Sequence, residues 1–181
     1  MNPSPEEAIE TTRRWLERAV IGLNLCPFAK GVHLKNRIRW VVSTATDETA
    51  LRDDLVRELL WLRDADPEVT ETTLLIHPQV LGDFLDFNDF LGVADEVLEA
   101  LELDGELQVA NFHPEYFFAD SQGSGDITNF TNRSPYPTLH LLRESSIEAA
   151  VVAFPDAADI YETNMKTLQA LGHEGWRRLW L

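Results

Sequence analysis

Apolar residues recur every three or four positions in three stretches of the chain, and this spacing predicts amphipathic helices. The first begins at Ser4, a suitable N-cap before Pro5, and should end before Pro27. The second covers residues 47–63 and the third covers residues 89–103. Each helix has one apolar face, so each should pack against another element.

Three shorter stretches between these helices predict β-strands. Residues 37–44 alternate between the two faces of a strand, and residues 72–77 form a short apolar run typical of a buried strand. Residues 106–112 form the third predicted strand, which follows a turn at Asp104-Gly105.

Residues 113–135 show no period, and Gly, Ser, Asn and Asp are frequent among them. Aromatic side chains in the same stretch favour an ordered functional loop over a disordered segment. From Tyr136 onward the pattern predicts two or three helices, with Pro155 as a breaker and Gly172 as a stop.

Helices that alternate with strands indicate an α/β fold. The sequence predicts one domain over residues 1–181. Its three-stranded parallel sheet has flanking helices, an N-terminal helix and a C-terminal helical segment. A ferredoxin-like α+β fold with a mixed sheet is the alternative.

The formal net charge is −16, and most of it lies in one part of the chain. Residues 47–104 carry 17 acidic residues and 3 arginines, whereas residues 105–143 carry 4 acidic and 2 basic residues. A protein with this excess of negative charge repels phosphate backbones and anionic lipids, so we expect neither nucleic acid nor a membrane as partner.

Cys26 is the one cysteine of the sequence, which leaves no partner for an intrachain disulfide. The first residues lack the basic and apolar regions of a signal peptide, and no apolar run is long enough to span a membrane. We therefore expect a cytoplasmic protein. No motif identifies a cofactor or a particular metal.

Two histidines follow predicted strands directly: His77 ends the second strand and His113 follows the third, and a proline comes after each. Ligands of open parallel sheets bind beyond the carboxyl ends of the strands, where imidazoles can act as acid, base or metal ligand. The alternative is that each ring binds a backbone carbonyl and only closes the end of its strand.

The segment after the loop suggests an anion site. Ser134 and Pro135 are suitable residues for a helix start, whose free N–H groups would attract an anion beside Asn132 and Arg133. On that predicted helix, a polar face would carry three more candidates for ligand binding or catalysis, namely Tyr136, His140 and Arg143. Alternatively, Arg133 pairs with Asp120 or Asp126, and the polar face is solvated surface.

Cys26 continues the apolar face of the first predicted helix, so a small buried thiol is one interpretation. A nucleophile activated by a histidine is a second, although a helix C-terminus raises the pKa of a thiol. Zinc coordination with His77, His113 or His140 is a third, without the close Cys/His spacing of most zinc sites.

Three segments resemble a family: NLCPFA at residues 24–29, FHP at residues 112–114, and NRSPYPTLHLLRE at residues 132–144. They are similar to the marks of a bacterial family of domains of unknown function, number 1415, whose members have about this length. The resemblance implies a bacterial cytoplasmic protein, and it implies no activity or site residue.

Three functions are therefore open. The first is a small-molecule enzyme for an anionic substrate, with a site lined by His and Arg at the carboxyl ends of the strands. The second is a non-catalytic module that binds a metal or anion through the same residues. The third is an interaction domain that uses the acidic helices of residues 47–104.

Overall fold

Four strands form one sheet in the order β1-β2-β4-β3. The structure is a computed structural model that describes residues 2–181, except for the side chains of residues 157 and 158. The strands are β1 (Ile38–Val42), β2 (Thr72–Ile76), β3 (Leu107–Phe112) and β4 (Thr138–Arg143).

The helices are α1 (Pro5–Trp15), α2 (Ala29–Leu34), α3 (Glu48–Asp64), α4 (Phe84–Ala100), α5 (Glu144–Ala153) and α6 (Ile160–Arg178). A π-helical segment, Leu16–Ile21, continues α1, and short 3-10 segments cover Ile127–Asn132 and Pro155–Asp159. No helix of the described residues is long and apolar enough to cross a membrane.

The predicted sheet of three parallel strands is wrong in strand number and in pairing. β1 pairs with β2 in parallel, but β4 lies between β2 and β3 and is antiparallel to both. The mixed sheet agrees with that feature of the alternative fold. The order strand-helix-strand-helix-strand-strand nevertheless differs from the ferredoxin-like pattern, in which the two helices enclose a central hairpin.

β4 replaces the helix that was predicted to start at Ser134. Prolines 135 and 137 disfavour helical backbone at the residues before them, so the chain enters β4 extended. In β4, Leu139 and Leu141 point to one face and are fully buried, as the two-residue period of a strand requires. The leucines at 139 and 142 also fit a helical spacing, and this ambiguity produced the wrong prediction.

Two helical layers cover the two faces of this sheet. On one face, the apolar sides of α3 and α4 pack against the leucines at 75, 139 and 141. On the other face, Trp15 and Ala19 pack against Trp40 and Phe112. Full burial of a side chain such as Leu55 contributes about 2 kcal/mol, so α3, with four fully buried leucines, is strongly attached.

Two predicted helix boundaries are confirmed, and two others differ. Ser4 caps α1 in a capping box with Glu7, and α5 ends before Pro155. Gly172, predicted to stop a helix, instead lies at a kink inside α6, where its φ of 66° is in the left-handed region. The predicted helix 89–103 instead begins at Phe84, because the Asp83 carboxylate accepts N–H groups of its first turn.

Candidate functional site

His77 and His113 lie under the N-terminal end of α4, each one residue beyond its strand. Both are fully buried, and both rings pack against Phe87, with ring centroids 5.7 and 5.0 Å away. The fold thus brings the two predicted histidines to one place, beyond the carboxyl ends of β2 and β3.

His77 is a neutral imidazole in this position. Its Nδ1 lies 3.1 Å from the carbonyl oxygen of Val80, and since a carbonyl only accepts, Nδ1 carries the proton. Its Nε2 is then an acceptor, buried and without a hydrogen-bond partner among the described residues. Burial lowers the pKa of His77 to about 4, because the charged ring would lose its hydration.

His113 is also neutral, and both of its nitrogens are used. Nε2 donates to the carbonyl oxygen of Leu81 at 3.0 Å, and Nδ1 accepts the N–H of Glu115 at 3.0 Å. Burial lowers its pKa as well. The two rings therefore hold the carbonyls of Val80 and Leu81, which fixes the turn between β2 and α4.

His140 does not join them. It lies in β4 between the two buried leucines, so it points to the opposite face of the sheet. Thr72 donates its hydroxyl proton to Leu141, so the His140 Nε2 at 2.7 Å is the donor to Thr72 Oγ1. Burial lowers the pKa of His140 to about 4.

Arg133 holds the irregular loop and has no helix start beside it. Its Nε donates to the Tyr116 carbonyl at 3.0 Å and its Nη2 to the Ser124 carbonyl, while the guanidinium lies 4.5 Å above the Phe130 ring. It forms no ion pair with Asp120 or Asp126. Ser134 likewise binds locally, through a hydrogen bond to the Tyr136 carbonyl.

Arg143 lies at the other end of the molecule from His77 and His113. β4 runs antiparallel to its neighbours, so its last residue is at the amino ends of β2 and β3. The Arg143 Nη2 donates to the carbonyls of Ala65 and Thr70, at 3.0 and 2.9 Å. The candidates predicted from the sequence are thus distributed over both faces of the sheet and both ends of its strands.

A cavity of about 420 Å³ lies on the sheet face opposite to α3 and α4. We call it the Cys26 cavity. It is lined by Val20, Leu25, Cys26, Phe112, Phe118, Thr131, Asn132, Ile160, Tyr161 and Asn164. None of these side chains carries a formal charge at neutral pH, and this volume is within the range of small-molecule sites.

Cys26 contributes a protonated thiol to the wall of this cavity. The backbone N–H groups of Phe28 and Ala29 lie near the sulfur and favour the thiolate, but burial outweighs them and raises the pKa of the thiol. No group of three metal-ligating side chains occurs among the described residues, and no described His or carboxylate bonds to this thiol.

Asn164 is the most buried polar residue of the Cys26 cavity, with 2 % of its surface exposed. Its Nδ2 donates to the Leu25 carbonyl at 2.8 Å, and Asn132 in the same wall donates its Nδ2 to the Asn111 carbonyl at 3.2 Å. The Oδ1 atoms of Asn132 and Asn164 accept no hydrogen bond from the described residues. The wall therefore offers two free acceptors.

Of the residues that line this cavity, the sequence predicts only Cys26 and Asn132 as candidate site residues. A signal for Asn164 was present, since it stands between Ile160 and Leu168 at the four-residue spacing of a buried helix face. A polar side chain at a core position needs a partner, and this marks it as a candidate. For Phe118 and Tyr161 we find no comparable signal in the sequence.

The three segments that carry the family resemblance all reach this cavity. Residues 24–29 contribute Cys26, residues 112–114 contribute Phe112, and residues 132–144 contribute Asn132. The chain belongs to the family described as protein of unknown function (DUF1415), whose model matches residues 7–178. No curated protein and no solved structure shows significant similarity to the chain.

Proposed function

We propose that this member of the family binds a small, uncharged organic molecule in the Cys26 cavity. The ligand has a flat apolar part and at least one hydrogen-bond donor. This proposal keeps the small-molecule ligand expected from the sequence and replaces its anionic character.

Aromatic side chains support the apolar part of the ligand. Phe112, Phe118 and Tyr161 line the cavity, and Phe118 meets Tyr161 edge to face with centroids 5.5 Å apart. Aromatic rings favour a flat apolar partner through both contact area and ring geometry. Tyr161 is 41 % exposed, so this pair lies where the cavity meets the surface.

Asn164 is the observation that carries the proposal. The Asn164 side chain is buried and its Nδ2 is held by the Leu25 carbonyl, yet its Oδ1 accepts no hydrogen bond from the described residues. A ligand donor placed between Asn132 and Asn164 would supply that hydrogen bond. The amide orientation is fixed, since each Nδ2 is already engaged with a backbone carbonyl.

Charge favours a neutral ligand over an anion. None of the described residues that line the cavity is cationic, and the whole chain carries a net charge of −16. An anion would have to leave water without a cation to replace its hydration.

Binding is better supported than nucleophilic catalysis. Cysteine nucleophiles depend on a lowered thiol pKa or on a base in hydrogen-bond contact, whereas burial raises the pKa of Cys26. The thiol is nevertheless a useful reporter, because it is the one cysteine in the sequence.

A site for an anionic substrate at His77 and His113 stays a prediction. The free Nε2 of His77 favours it, but that atom is fully enclosed, so a substrate would require the turn at Val80 and Leu81 to open. The metal or anion module and the acidic interaction surface also stay predictions.

Benzamide and benzoate provide a matched pair of probes, since they differ in charge and share a ring. Protein amide chemical shifts in ¹H–¹⁵N NMR spectra should move saturably with benzamide, around Cys26 and Asn164, and much less with benzoate. Benzamide binding outside the cavity, or tighter binding of benzoate, would overturn the proposal.

Two phenylalanines of the irregular loop provide a matched pair of variants. Phe118→Ala removes a cavity wall and should weaken benzamide binding about ten-fold. Phe130→Ala removes a ring that packs on Arg133 and Trp176 outside the cavity, so it should leave the affinity unchanged. Equal effects of the two variants would contradict the assignment of the site.

A further inference from the structure

A second site is indicated at the amino ends of β2 and β3, where α5 begins directly after β4. A cleft of about 300 Å³ lies there, and its polar lining residues are Arg63, Glu106, Arg143, Glu144, Ser145 and Glu148. We call it the Arg143 cleft. It shares no residue with the Cys26 cavity.

Arg143 is a buried cation, and no carboxylate of the described residues is in contact with it. It is 7 % exposed, and its Nη2 donates only to the two backbone carbonyls described above. Its Nη1 bonds to no described residue and is not fully enclosed, whereas its Nε is enclosed and has no hydrogen-bond partner among the described residues. Glu71 and Asp66 act on it only by longer-range attraction. A buried guanidinium with unused donors is costly unless an anion meets it.

The start of α5 adds further donors at the same place. Arg143 is itself the N-cap residue, and it provides no side-chain acceptor for the first turn. The N–H of Glu144 binds the Glu106 carbonyl at 2.9 Å. The N–H groups of Ser145 and Ser146 belong to the first turn, whose donors have no acceptor within the helix. Free N–H groups and a guanidinium together favour a carboxylate.

The three glutamates of the cleft restrict which anion can enter. Glu106, Glu144 and Glu148 repel a plain anion, but they attract an ammonium group on the same molecule. We propose that the Arg143 cleft binds a small zwitterion of the amino acid class. Its carboxylate would lie at Arg143 and the start of α5, and its ammonium group at the glutamates.

NMR of the wild-type protein tests this proposal directly through the Nε–H resonance of Arg143. The probes are glycine, β-alanine and 4-aminobutanoate, with butanoate and butylammonium as singly charged controls. At least one zwitterion should shift the Arg143 Nε–H and the Ser145 N–H saturably, with a tighter Kd than either control. The proposal is overturned if no zwitterion shifts them, or if butanoate binds as tightly.

Two exposed lining residues provide variants that leave the buried Arg143 in place. Glu148→Gln should weaken the zwitterion about three-fold and tighten butanoate binding, because it removes one negative charge. Arg63→Gln should weaken the binding of the zwitterion and of butanoate by a similar factor, because it removes a positive charge from the lining of the cleft. Binding that is unchanged in both variants would place the probe elsewhere and overturn the proposal.

Discussion

Phe112 and His113 are neighbours in the chain, but their side chains lie on opposite faces of the sheet. Phe112 packs against Trp15 and lines the Cys26 cavity, whereas His113 packs against Phe87 and binds the Leu81 carbonyl. The end of β3 therefore connects the cavity to the buried histidines.

Acid should destabilise the protein through His77. Its pKa is about 4 in the fold against 6.5 in the unfolded chain, so below pH 6.5 the unfolded chain binds a proton that the fold does not. The stability that neutral His77 contributes is thus fully present above pH 6.5, and it falls as the pH drops toward 4. At pH 5 the loss from this residue is about 2 kcal/mol relative to pH 7.

His77→Asn isolates this effect. The amide N–H of Asn can replace the bond to Val80 but does not titrate in this range. Urea unfolding at pH 7 and pH 5 should therefore show a stability difference smaller by about 2 kcal/mol in the variant than in the wild type. An identical difference in the two proteins would show that His77 is not the titrating group.

Asn164 should be required for stability as well as for binding. Asn164→Leu keeps the size of the side chain but leaves the Leu25 carbonyl without its donor, which should cost about 1–3 kcal/mol of unfolding free energy. Gln169→Leu, at an exposed position of the same helix, is the control and should change stability by about 0.5 kcal/mol or less. Equal losses would argue against a special role of Asn164.

Arg133→Met tests whether this arginine holds the loop. Methionine can still pack on Phe130, but it cannot donate to the carbonyls of Tyr116 and Ser124. We expect a loss of about 1–2 kcal/mol and faster amide hydrogen exchange in residues 116–126. Unchanged exchange there would mean that the arginine has another role, such as the anion binding predicted from the sequence.

The helices α1, α3 and α4 and the first three strands could be predicted because each has a local pattern, whereas the short helix α2 was not predicted. The leucines at 51, 55, 59 and 62 mark the buried face of α3, and all four are fully buried. β4 could not be assigned in the same way, since TLHLLR fits a strand and a helix equally well over six residues. Its partners on both sides decide its conformation, and they are distant in sequence.

The candidate site was predictable only in part, for a similar reason. His77 and His113 meet because strand ends converge, which a strand pattern reveals. The Cys26 cavity joins a turn after the first helix, the end of β3, the irregular loop and the first turns of α6. No local pattern predicts how such segments meet, and the misassigned β4 concealed the arrangement.

Alkylation of Cys26 by iodoacetamide in the presence of benzamide is the most direct test of the proposed site. Intact mass gives the rate without ambiguity, because the sequence contains one cysteine. If the cavity is the binding site, benzamide should slow the reaction in proportion to the bound fraction found by NMR, and benzoate should have little effect. A rate that stays constant while benzamide saturates the protein, or a failure of benzamide to bind at all, would contradict the account.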